Sequence, residues 1–151
     1  MLALFSLYCQ GYLPEHFYIF GFARTEMSHE AFRNKVTEHL TCRYVPGEKC
    51  EDRMREFLAR CFYTAGQYGS ADSFLNLYSL MKTVEKGRQV NRMFDLAIPP
   101  SIFPEVIHAI ENAGLAACGQ KQPWSRVVIE KPFGRDRASS DQLTRDLARV
   151  F

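Results

Sequence analysis

Short, unbroken apolar runs alternate with amphipathic stretches along this chain, and that alternation limits its fold more than any other feature. The runs are FYIFGF at 17–22, MFDLAI at 93–98 and RVVIE at 126–130, while FYTAGQYG at 62–69 reads either as the end of a helix or as a short strand ended by glycines. Helical spacing fills the gaps. Phe32, Val36 and Leu40 share one face behind Ser28, a good N-cap. Met54, Phe57, Leu58, Cys61 and Phe62 mark another helix, and Phe74, Leu77, Tyr78, Met81 and Val84 a third behind Asp72. Phe103, Val106, Ile107 and Ile110 follow, then Leu143, Leu147 and Val150 behind Ser139, with Gln142 placed for a capping box. Before the first run, Leu2, Leu4, Phe5 and Tyr8 suit a helix stopping near Gly11.

Strands that read as continuously apolar belong to a parallel sheet covered on both faces, so the pattern predicts a doubly wound α/β fold. Such sheets take their ligands beyond the carboxyl ends of the strands. The residues just past each run therefore carry the functional information.

Composition removes several alternatives. With 19 basic and 17 acidic side chains the formal charge is +2, a weak attraction for nucleic acid or an anionic membrane. The basic cluster Lys121, Arg126, Lys131, Arg135 and Arg137 is offset by Glu130, Asp136 and Asp141, with no nucleic-acid reader motif beside it. No apolar run approaches the roughly 20 residues of a membrane helix. The five cysteines have no C-x-x-C spacing; they suit thiols in a reducing compartment better than a disulfide frame. A metal site from His39, Cys42 and Cys50 lacks the usual ligand spacing, so no metal is expected.

At the strand ends, Arg24 and Thr25 follow the first run. An acidic residue there suits a ribose 2′-hydroxyl; an arginine suits a 2′-phosphate through charge-assisted contact, which points to NADP. The plainer reading is a solvated arginine. Asp95 lies inside the MFDLAI run, where an acidic side chain is disfavoured, and touches a cofactor if it faces the crevice. Pro99 and Pro100 then remove two backbone donors, lining a crevice or ending an edge strand. After the last run, Lys131 is a point charge on a stiff platform, with Pro132 setting the bend and Gly134 allowing close approach. A lysine reaching from a strand end into solvent is the alternative.

The motifs LPEHFYIFGFAR, YTAGQYG, NRMFDLAIPP and VVIEKPFGRD, in that order, resemble the glucose-6-phosphate dehydrogenase family. The resemblance covers nearly the whole chain. It implies a Rossmann-type NADP-binding domain that is incomplete over residues 1–151, lacking the family's first strand, its glycine-rich loop and its second, α+β domain. The implied reaction oxidises glucose 6-phosphate at C1 to the lactone, with hydride passing to NADP. Arg24 would bind the 2′-phosphate with help from Thr25, Lys131 would contact cofactor and sugar, and Pro132 would position that lysine. Asp95 matches a position that holds tyrosine in some members. His16, His29, His39 and His108 match no catalytic motif, so no catalytic base is assigned and the isolated chain is expected to be inactive. The resemblance also implies a cytoplasmic homo-oligomer, associating through the second domain. The alternative is a non-catalytic NADP-binding or regulatory module.

Overall fold

A computed structural model describes residues 1–42, 49–116, 123–131 and 133–151. The chain forms two compact units, Met1–Ala65 and Gly66–Phe151, and each contains one pair of parallel strands.

The first unit runs α1 (Leu2–Cys9), β1 (Ile19–Ala23), α2 (His29–Thr37), α3 (Cys50–Ala59) and β2 (Cys61–Ala65). β1 and β2 pair in parallel, with Ile19 opposite Cys61 and Gly21 opposite Tyr63. Phe5, Val36, Leu40, Phe57 and Cys61 form the core, the Phe5 ring meeting Phe57 edge-on at 5.3 Å. α1 is apolar on every side, yet only Phe5 is buried; Leu2, Leu4 and Leu7 are exposed. Cys61 and Phe62 open β2 instead of ending α3, because Arg60 already closes that helix. The outer edge of β2 is covered by side chains of α2. Arg33 Nε donates to the Cys61 carbonyl at 3.0 Å, and His29 Nδ1 accepts the Tyr63 N–H at 3.0 Å. Edge groups satisfied in this way offer no template to another strand.

The second unit runs α4 (Ala71–Glu85), β3 (Arg92–Leu96), α5 (Phe103–Asn112), β4 (Ser125–Ile129) and α6 (Arg137–Val150). β3 and β4 are parallel, Arg92 opposite Ser125 and Leu96 opposite Ile129. The buried faces of α4, α5 and α6 supply Phe74, Leu77, Met81, Phe103, Ile107, Ile110, Leu143 and Val150 to the core.

Several caps fall where the sequence did not put them. Ser70, not Asp72, accepts from the α4 backbone, and Asp72 sits in the first turn. Asp136 caps α6 in a reciprocal box with Ser139, which is the third helical residue and not the cap. Ser28 does cap α2, accepting from the Ala31 N–H at 3.1 Å.

Two expectations are corrected. The β3–β4 pair is not covered on both faces: alternation puts Met93, Asp95, Arg126 and Val128 on one side, with Met93 63% and Val128 43% exposed. The Phe94 ring, on the other side, packs against Phe151 at 5.4 Å. The cysteines are not all thiols either: Cys42 and Cys50 form a disulfide, their Cα atoms 5.7 Å apart. That separation is within bridging range, which spacing rules for metal or redox motifs do not detect. That bond also uses both sulfurs that a site with His39 would need. No helix among the described residues is long and apolar enough to cross a membrane.

Candidate functional site

Of the sequence-predicted residues, Arg24 and Thr25 follow the carboxyl end of β1 in the first unit, and Lys131 follows that of β4 in the second. In the first unit Arg24 and Thr25 form an exposed bend directly after β1, and Ser28 then starts α2. This bend is held from below. Tyr63, 5% exposed on β2, donates its phenol hydrogen to the Thr25 carbonyl at 2.5 Å and lies 3.4 Å from the Ala23 carbonyl.

The ring reaches that far because its register partner is a glycine. A Cβ at Gly21 would stand 2.7 Å from Phe32 Cζ and 3.0 Å from Tyr63 Cδ2. The glycine of FGFAR is therefore a packing requirement, clearing the floor on which two aromatic rings lie. Sequence reading assigned nothing to Tyr63 or Gly21. A glycine inside a strand, which often marks close approach by another group, was the available signal.

In the second unit a groove of about 290 Å³ opens at the carboxyl ends of β3 and β4. Its walls are the Leu96–Pro100 stretch on one side and Glu130 and Lys131 on the other. The two prolines thus face the lysine across a shared cleft. Pro100 leads a single 3₁₀ turn into α5, so the prolines give that wall a stiff backbone. Lys131 is exposed and forms no ion pair among the described residues. Asp95, on the exposed face of β3, does not line this groove. Pro132 lies outside the described residues.

Gly134 has a role different from the expected one. Its φ is +94°, and a Cβ there would come 2.7 Å from the Ser140 backbone nitrogen. The glycine lets the chain fold back against the first turn of α6, a steric need of the turn itself. Of the histidines, His29 accepts a β2 backbone hydrogen, and His108 sits with Glu111 and Arg149 on the surface. Neither is poised against an acidic or nucleophilic partner in the groove. Among the described residues no cluster of histidine, cysteine or carboxylate side chains could hold a metal.

An arginine bend suits a phosphate monoester, and a cleft with one ammonium group suits an oxygen-rich or anionic ligand. Both types of contact fit a phosphorylated dinucleotide and a sugar phosphate.

Comparison with known proteins agrees with these features. The family described as "Glucose-6-phosphate dehydrogenase, NAD binding domain" matches residues 1–151. The chain is 50% identical over 149 residues to the chloroplastic glucose-6-phosphate 1-dehydrogenase of Nicotiana tabacum, and 48% identical to that of Spinacia oleracea. Each match covers 99% of this chain but 24% and 25% of the relative, so the chain spans about a quarter of their length. Among solved structures it superposes on a glucose-6-phosphate dehydrogenase in complex with its substrate glucose-6-phosphate, with a TM-score of 0.82 and 35% identity. That match covers 99% of this chain and 30% of the other.

Proposed function

The chain belongs to the glucose-6-phosphate dehydrogenase family, and on that premise we propose that it forms part of the NADP-binding domain of an enzyme oxidising glucose 6-phosphate at C1. NADP supplies the hydride acceptor. The observation that carries this reading is the groove where Lys131 faces Pro99 and Pro100 at the carboxyl edge of β3 and β4. An ammonium group there can hold both the cofactor's nicotinamide end and sugar oxygens, orienting one toward the other.

Arg24 binds the 2′-phosphate in this reading, and Thr25 offers a hydroxyl beside it. Asp95 is a weaker cofactor candidate than Lys131, since it lies off the groove. Pro132 positions Lys131. Among the described residues none is placed to take the C1 hydroxyl proton, and in this reading the chain alone binds NADP but does not turn over. Assembly as a homo-oligomer belongs to the larger protein and would use its second domain. The tobacco and spinach relatives are named chloroplastic, which favours a plastid over the cytoplasm.

The test is a calorimetric titration of the chain with NADP and with NAD, repeated on Arg24→Ala and Lys131→Met. Arg24→Ala should lose about 1.5–3 kcal/mol of NADP binding, the worth of a charge-assisted hydrogen bond, and little NAD binding. Equal affinity for the two dinucleotides in the unmodified chain would remove the cofactor reading. NADPH formation by the purified chain with glucose 6-phosphate would remove the claim that it is inactive alone.

A further inference from the structure

We propose that Tyr63 is a positioning residue for selection of the 2′-phosphate, acting through the backbone of Arg24 and Thr25. The proposal rests on the reading of Arg24 given above. A guanidinium on a surface bend is a poor selector if the bend moves, because each binding event must first order it. Tyr63 removes that freedom. Its hydroxyl lies 2.5 Å from the Thr25 carbonyl and 3.4 Å from the Ala23 carbonyl, the main-chain oxygens of the two residues that flank Arg24. Its own N–H is held by His29 Nδ1 at 3.0 Å, and His29 is the first residue of α2. One residue thus grips both ends of the connection from β1 to α2.

The ring itself is fixed. Phe32 packs on it with centroids 5.1 Å apart, and Gly21 lies beneath. A buried tyrosine hydroxyl seeks a polar partner, and here it finds main-chain oxygens of the bend that carries the candidate phosphate ligand. A phenylalanine would pack equally well but leave those carbonyls without the phenol. The chemistry of Tyr63, not its volume, is therefore what the bend requires.

The experiment compares Tyr63→Phe with the unmodified chain for NADP, NAD and adenosine 2′,5′-bisphosphate by calorimetry, with an unfolding curve on each protein. The expected result is about a five-fold loss in affinity for both ligands that carry the 2′-phosphate, the scale of one hydrogen bond. NAD affinity should hold, and the unfolding midpoint should fall by no more than the loss of one hydrogen bond accounts for. An unchanged NADP-to-NAD ratio, or an equal fall for both dinucleotides, overturns the proposal.

Arg24→Ala run in parallel separates the two claims. If it leaves the ratio unchanged, the phosphate reading fails and takes this one with it. If it abolishes the preference while Tyr63→Phe does not, only the role of Tyr63 fails. Should Tyr63→Phe not fold, relaxation of the unliganded chain decides. Arg24 and Thr25 amides with order parameters near 0.85 support a preset bend, and values below about 0.6 overturn it.

Discussion

Arg92 holds Glu85 through both carboxylate oxygens, Nη2 lying 3.0 Å from each. Glu85 is 3% exposed at the end of α4, and Arg92 opens β3. A further nitrogen of Arg92 donates to the Leu115 carbonyl beyond α5 at 2.9 Å. The pair therefore fixes the amino end of the strand whose carboxyl end borders the Lys131 groove. Glu85→Leu strands a largely buried guanidinium and should cost about 3–5 kcal/mol, read as a lower denaturant midpoint. Adding Arg92→Met should recover part of that loss. A single substitution costing under 1 kcal/mol would show that α4 and β3 are held together by apolar packing alone.

Gly21 offers a sharper test of the first unit. The added methyl of Gly21→Ala meets Phe32 and Tyr63 at 3.0 Å or less, and both rings sit between α2 and the strands. Overpacking of this kind should cost about 1–3 kcal/mol. NADP preference should weaken as well, because the displaced ring is the one reaching the Arg24 bend. A variant with wild-type stability and preference would mean that the rings adjust without loss.

The alternation of apolar runs with helical faces was enough to place β1, β3 and β4, while at β2 it left helix end and strand start unseparated. The strand-end rule puts Arg24 and Lys131 just beyond the carboxyl ends of β1 and β4. What the sequence hid were interactions decided by neighbours far along the chain. Tyr63 reads as one more β-forming aromatic until its partner across the ladder is known to be a glycine. The exposed side of β3 and β4 hid for the opposite reason. Met93 and Val128 are apolar, so the pattern predicts burial even where no element of the described chain covers them. Caps were misplaced by a few residues because Ser70, Asp72, Asp136 and Ser139 are all competent, and only the path of the chain chooses among them.

The Cys42–Cys50 bond ties the end of the α2 segment to the first residue of α3, across a separation of 8 residues. Closing so short a loop should stabilise the first unit by about 2.5 kcal/mol through the unfolded chain. Reductant, or Cys42→Ser, should lower the unfolding midpoint accordingly. Burial pushes the Cys61 thiol up to about 11, so it stays protonated at neutral pH and does not exchange with the disulfide. If reductant left the midpoint where it was, the bond would contribute nothing to holding α3.

Asp136 gives the second unit an acid-sensitive helix start. Hydrogen bonds from the Ser139 backbone and side chain hold its carboxyl below the ordinary carboxylate range. A carboxyl with a lowered value in the folded state binds its proton more readily when unfolded. Its stabilisation is therefore complete above the unfolded value and is lost as pH falls through the folded one. Stability should decline from about pH 5 downward, with α6 loosening where Asp136 becomes protonated. Asp136→Asn retains a cap that does not titrate, so its stability should match wild type near neutrality while falling less steeply in acid. Asp136→Ala should instead be weaker near neutrality. Identical acid profiles for wild type and Asp136→Asn would show that some other carboxyl governs the acid limb.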